Sequence, residues 1–211
     1  MPGPDVVVIG GSAGGIKALR GIFETLGDAR NIVVFVVLHR APQYAGLDRV
    51  LQGYTAIPIR EPNTSPWACS PGEVTLAPAG YHMLVGNDRN PSTEPATPVE
   101  QYQTGSAVRA HLTLDAPILH SRPSLDALFS SAAQLVNSVT AVLLSCASDD
   151  GARGCEDVKA GGGRVVLQDP DTCEAAVAVN AALRRVDPDH VADPPGIGRW
   201  LSGIGGRHRL S

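Results

Sequence analysis

Three kinds of side chain that can move protons or attack carbonyls stand just past apolar runs in this chain. Ser12 follows Val6-Val7-Val8-Ile9-Gly10-Gly11, His39 follows Ile32 to Leu38, and Asp149 and Asp150 come a few residues after Val139 to Leu144. A serine hydroxyl needs a base to take its proton, and a histidine acting as that base needs a carboxylate to fix its tautomer and stabilise the imidazolium. Groups at the carboxyl ends of parallel strands face one edge of the sheet, where ligands bind. The three run ends could therefore supply a Ser-His-Asp set, although spacing alone does not make the strands neighbours.

Each residue also has a simpler use. Ser12 could cap a helix, His39 could be a satisfied histidine at a strand end, and Asp149 and Asp150 could place negative charge at a helix N-terminus. The run Gly10-Gly11-Ser12-Ala13-Gly14-Gly15 nearly fits the dinucleotide fingerprint G-x-G-x-x-G. However, Ser12 stands where the second glycine should let the backbone approach a pyrophosphate, and His39 ends the strand where an acid should hold the ribose. The same run fits G-x-S-x-G, the nucleophile elbow. The chain order Ser, His, Asp nevertheless differs from the Ser, Asp, His of α/β-hydrolases. The remaining histidines, His82, His111, His120, His190 and His208, lack ligand spacing and read as structural or solvated.

The elements that must position these groups alternate. Four consecutive β-branched residues, Val6 to Ile9, read as a strand buried on both faces. The spacing of Ile16, Leu19, Ile22, Phe23 and Leu26 predicts a helix after the glycines. Ile32 to Leu38 is a second strand, and Leu47 to Gln52 a short helix. Ile57-Pro58-Ile59 predicts an edge strand, because proline cannot donate to a central ladder. Glu73 to Ala77 and His82 to Val85 flank Pro78-Ala79-Gly80-Tyr81 and read as a hairpin or short strand pair. The polar, proline-bearing stretch 86–110 reads as a surface loop, with a short strand at Leu112 to Leu114. Ser124 caps a helix from Leu125 to about Leu135. Strand Val139 to Leu144, a helix ending at Gly161-Gly162-Gly163, strand Arg164 to Gln168 and a helix from about Cys173 to Leu183 complete the pattern. Residues 187–211 read as a C-terminal tail segment with an amphipathic stretch near Ile197 to Ile204. The expected fold is α/β: a three-layer, doubly wound, mostly parallel sheet with helices on both faces.

Composition narrows the partners. A chain of 211 residues with net charge −4 has no basic footprint, which argues against nucleic acid. Four cysteines without C-x-x-C spacing argue against zinc and fit reduced thiols. No apolar stretch approaches the roughly 20 residues that span a bilayer, and no leader pattern is evident. The expectation is a soluble cytoplasmic protein without membrane insertion.

Six blocks in order then resemble one family over about Val6 to Val191: Ile9 to Gly15; Leu38-His39-Arg40-Ala41-Pro42; Leu76 to His82; Arg122-Pro123-Ser124-Leu125-Asp126-Ala127-Leu128-Phe129; Asp150-Gly151-Ala152-Arg153-Gly154; and Gln168-Asp169-Pro170-Asp171-Thr172-Cys173-Glu174. Together they look like the catalytic domain of the chemotaxis methylesterase CheB. The resemblance implies hydrolysis of glutamate γ-methyl esters on chemoreceptors, with deamidation of certain glutamines, and neither metal nor organic cofactor. By position, it implies Ser12 as nucleophile, His39 as general base and Asp150 as orienting carboxylate, with Asp149 on the variable position before it. The backbone N–H groups of Ala13 and Ala147 would form the oxyanion hole. The implied partner is a methyl-accepting chemoreceptor or similar methylated signalling protein.

Three departures accompany the resemblance. Cys146-Ala147-Ser148 stands where the family usually has Gly-Met-Gly, which could misplace the second oxyanion donor. Ala178-Val179 stands where a Met-Pro pair is common. The chain also starts almost directly with its first strand, so the expected organisation is a single domain over 1–211 without a receiver domain, regulated, if at all, by a separate receiver protein. The altered segment motivates a second expectation: a catalytically weakened homologue that serves as a binding module in a receptor signalling complex.

Overall fold

The structure is a computed structural model and describes residues 4–27, 29–41, 46–87, 107–135 and 138–205. Its centre is a seven-stranded sheet. The strands are β1 (Asp5–Gly11), β2 (Ile32–Leu38), β3 (Ile59–Arg60), β5 (Val74–Leu76), β8 (Val139–Leu143), β9 (Arg164–Gln168) and β10 (His190–Ala192). They lie in the order β10-β9-β8-β1-β2-β5-β3, and every pairing is parallel. A smaller antiparallel sheet, in the order β4-β7-β6, holds β4 (Trp67–Ala68), β6 (His82–Asn87) and β7 (Val108–Thr113).

Alternation along the strands fills two cores. On one face Val6, Val8, Phe35 and Leu143 pack with Leu125, Leu128 and Phe129 of α3 (Leu125–Ala132), with Cys155 and Val158 of α4 (Ala152–Ala160), and with Val179 of α5 (Val177–Leu183). On the other face Val7, Ile9, Val34 and Val36 pack with Leu19, Ile22 and Phe23 of α1 (Gly15–Thr25), with Leu51 of α2 (Leu47–Gln52), and with Ile197, Leu201 and Ile204 of α6 (Pro194–Gly205). Successive strand side chains point to opposite faces, so an unbroken apolar run is what a sheet covered on both sides requires. Each such side chain, fully buried, contributes about 1.5–3 kcal/mol.

Several expectations change. Glu73 to Ala77 and His82 to Val85 do not pair with each other: β5 joins the parallel sheet and β6 the antiparallel one. Of the stretch 86–110, residues 86–87 end β6 and 108–110 begin β7, so its flanks are paired strand and not loop; 88–106 lie outside the described residues. Within 187–211, the expected tail contains β10, on the sheet edge, and α6, which lays its apolar side over α1. Residues 206–211, with His208, lie outside the described residues. Ile16, expected on the buried side of α1, is exposed. The proline at 58 precedes β3, and that strand is indeed an edge.

Candidate active site

Strand order makes the three chemical run ends neighbours. β1 lies between β2 and β8. Its last residue, Gly11, is in register with Leu38, and the His39 N–H donates to Gly11 O at 3.1 Å. On the other side Leu144 N–H donates to Gly10 O at 2.8 Å, and Ser12 N–H donates to Ser145 O at 2.9 Å. Ser12 therefore sits where the chain leaves the sheet, between the residues that follow β2 and those that follow β8. Gly14 caps α1 with φ +76°, and a Cβ there would stand 2.8 Å from Glu174 Cβ; both constraints call for glycine.

His39 and Asp150 form a tight pair, with Nε2 and Oδ2 2.7 Å apart. The carboxylate is fully buried and accepts three further hydrogen bonds: from Leu125 N–H at 2.8 Å on Oδ2, and from Asp126 N–H and the Ser124 hydroxyl, each 2.9 Å, on Oδ1. The two amides belong to the first turn of α3, where N–H groups lack helical partners and a negative charge is favoured. Asp126 does the same in reverse, its Oδ1 accepting from Gly151 N–H at 2.9 Å and Gly154 N–H at 2.7 Å at the start of α4. Each helix thus takes its N-terminal acceptor from the other's neighbourhood. Ser124 fills the cap position expected of it, accepting from Ala127 N–H. Asp149, beside the buried acid, is exposed.

The electrostatics follow from burial and contact. Burial disfavours the Asp150 charge, but the His39 bond and the Asp126, Leu125 and Ser124 donors outweigh it and hold the carboxyl below its usual range. Burial opposes a charged His39 as well. The Asp150 bond, helped by Cys146, reverses that and pushes the imidazole up to about 9. The carboxylate can only accept, so Nε2 carries a proton and Nδ1 is the nitrogen left for other work.

Nδ1 faces Ser121 Oγ at 3.4 Å and Cys146 Sγ at 4.0 Å. Among the described residues no hydrogen bond joins Ser12 to His39. Two hollows flank the site. One, of about 420 Å³, is lined by Ser12, Gly14, Lys17, Arg20, Tyr54 and Glu174; the other, of about 380 Å³, is lined by His39, Arg40, Ala41, His120, Ser121 and Arg122. The N–H groups of Ala13 and Ala147 meet no acceptor among the described residues. Among those residues no cluster of His, Cys, Asp and Glu is arranged to hold a metal ion.

Ser121, His120 and Arg122 were not legible as site residues. They come from a tight turn in which Leu119 and His120 both have positive φ, 46° and 67°, and Ile118 and Ser121 exchange backbone hydrogen bonds. Neither residue is glycine, so the sequence carries no turn signal there. His82 is structural, accepting from Ser124 N–H at 3.2 Å and touching Ala116 O at 3.1 Å. His190 stacks on Trp200. The four cysteines are free thiols.

A doubly wound parallel sheet, with a half-buried histidine paired to a fully buried aspartate at its carboxyl edge, defines an α/β protein with a candidate site there. Comparison with known proteins places it further. The family described as CheB methylesterase matches residues 7–201, and the chain belongs to that family. A relative from Leptospira interrogans is 32% identical over 189 residues, 89% of this chain and 88% of that one. Protein-glutamate methylesterase/protein-glutamine glutaminase 5 of Anaeromyxobacter dehalogenans is 32% identical over 197 residues, covering 91% of this chain and 49% of the relative. The crystal structure of the Thermotoga maritima CheB methylesterase catalytic domain superposes with a TM-score of 0.81 at 25% identity, covering 97% of this chain and all of that one. No helix among the described residues is long and apolar enough to cross a membrane.

Proposed function

We propose that the chain is a serine hydrolase that demethylates glutamate γ-methyl esters on a methyl-accepting signalling protein, and deamidates glutamines at equivalent positions. The observation that carries this reading is the His39–Asp150 pair set beside Ser12 at the end of β1. The names of the relatives, which join methylesterase to glutaminase activity, point to the same chemistry.

In the proposed reaction Ser12 Oγ attacks the ester carbonyl while His39 Nδ1 takes the serine proton. Asp150 keeps Nε2 protonated and stabilises the imidazolium. The oxyanion is received by the Ala13 and Ala147 N–H groups. Donors standing about 2.7–3.1 Å from that oxygen are what such a hole needs. His39 returns the proton to the departing methoxide, giving methanol. Water, activated in turn by His39, then cleaves the acyl-enzyme to the free glutamate. In the resting site His39 Nδ1 faces Ser121 and Cys146 and makes no hydrogen bond to Ser12 among the described residues; catalytic hydrogen bonds are often long before substrate arrives.

The test is methanol release from a receptor fragment carrying γ-methyl glutamate, together with labelling by a serine-directed fluorophosphonate. The expected result is release by the wild type, none by Ser12→Ala, and label on Ser12. A wild-type protein that neither releases methanol nor takes the label would overturn the reading.

A further inference from the structure

Cys146 is the thiol among the described residues that faces His39 Nδ1, and this mechanism has no use for it. Its backbone is fixed: the N–H donates to Ala175 O at 2.9 Å and the carbonyl accepts from Ala178 N–H at 3.3 Å. The residue is fully buried, with Sγ 4.0 Å from His39 Nδ1 and 3.4 Å from Ser148 Oγ. The sulfur is thus held against the ring nitrogen that the proposed mechanism needs free.

We infer that Cys146 is a positioning residue that shares a proton with His39 Nδ1 and so sets the pH at which His39 can act as a base. This rests on His39 being the base of the proposed reaction. The proton moves from Sγ to Nδ1 with no change of oxidation state, and the resulting N–H has the Ser121 hydroxyl at 3.4 Å and the sulfur at 4.0 Å. To accept from Ser12, Nδ1 must first return that proton to sulfur or lose it to solvent.

The charges around the pair do not supply a competing partner. Asp150 is bound to the other nitrogen, with Asp126 behind it among the amides of α4. Arg40 is paired with Glu61 at 2.7 Å. His120 and Arg122 lie across the hollow, Asp149 is exposed next to the acid, and Glu174 stands against Gly14. Among the described residues, Asp150 and Cys146 are the titratable groups that touch the ring. Burial opposes ionisation of the thiol, yet its contacts with His39 and Ser148 bring it below its ordinary range. The other three thiols move the opposite way. Burial raises Cys69 and Cys155, and it pushes Cys173 up to about 11. A thiolate appearing at low pH therefore belongs to Cys146.

Two measurements test this. The first is thiolate absorbance near 240 nm, titrated on the intact chain. One thiolate should form below the ordinary cysteine value of about 8.5, and His39→Gln should move that step upward. The second is the pH profile of kcat/KM. Cys146→Ser keeps the size and the hydrogen-bonding group but does not ionise, so the acid limb should shift down by up to about one unit, raising kcat/KM near neutral pH by up to about tenfold. A wild-type chain with no thiolate step below about 8.5 would overturn the inference, whatever the variants do. So would a Cys146→Ser profile with an unmoved limb in an active enzyme. A low thiolate step that depends on His39, in a protein that releases no methanol, would support the shared proton while sinking the methylesterase reading.

Discussion

Replacing Asp150 with Asn separates what the carboxylate does for the fold from what it would do for the reaction. The wild-type group accepts four hydrogen bonds, two on each oxygen. An amide offers one oxygen and one NH2. If the NH2 takes the place of Oδ2, it confronts the Leu125 N–H and forces His39 to present a lone pair at Nε2. The ring proton then moves to Nδ1, where the proposed mechanism needs an acceptor. If the NH2 takes the place of Oδ1, the Ser124 hydroxyl can rotate, but the Asp126 N–H is left facing a donor. Either way one buried backbone donor is orphaned, at about 1–3 kcal/mol. For a domain of this size that is a fall in Tm of roughly 2–12 °C. The imidazolium also loses its charged partner in both orientations. The expected loss of turnover therefore approaches the factor of about 10⁴ known for the equivalent change in characterised triads, or about 5 kcal/mol of barrier. The assay is kcat/KM by methanol release at a temperature where the variant is folded, beside a thermal melt. A variant within tenfold of wild type would refute the orienting role, and an unchanged melting temperature would refute the hydrogen-bond account.

Other outcomes follow from the same geometry. Asp149→Asn, at an exposed carboxylate, should change kcat/KM by only a few-fold, and a loss equal to that of Asp150→Asn would assign the acid to the wrong residue. Because the folded His39 holds its proton up to about 9, kcat/KM should climb with pH well above the ordinary histidine value of about 6.5; a plateau reached by pH 7 would contradict that environment. The same raised value means that His39 protonation stabilises the fold fully below about 6.5 and that this contribution is lost as pH rises through about 9, measurable as a falling urea midpoint. Gly154→Ala would set a Cβ 2.5 Å from Phe129 Cβ, and overpacking of that kind costs about 1–3 kcal/mol, so a melting temperature equal to wild type would show that α3 and α4 can move apart. Exchanging Cys146-Ala147-Ser148 for Gly-Met-Gly should leave turnover within tenfold if the Ala147 N–H already serves the oxyanion; a gain of about 10²–10³ would mean that it does not.

The sheet was legible because its strands are buried on both faces, which leaves unbroken apolar runs such as Ile32 to Leu38. The helix start at Ser124 was legible because its cap is local. Pairing was not, since nothing near Pro78 or Gly80 says that β5 and β6 enter different sheets. β10 has only three residues, with Val191 exposed between half-buried neighbours, and carries no pattern to find. Ile16 kept the helical spacing but faces outward into the space beside Ser12. The order of β8, β1 and β2 puts His39 and Asp150 within reach of one another, and neither residue's local sequence states that order. The turn carrying His120 and Ser121 and the service of Asp126 to α4 both depend on three-dimensional contact with partners on other elements.

The exchange of acceptors between α3 and α4 has a consequence for how the protein fails. Binding regions are commonly drawn from the least stable part of a fold and open before the rest. Here the amides of Leu125, Asp126, Gly151 and Gly154 are tied to two carboxylates, one of which also holds His39. Prising the two helices apart would release the ring in the same motion. Slow deuterium uptake at those four amides would then report on the integrity of the site itself, and gradual addition of urea would leave the protein competent until the whole domain lets go.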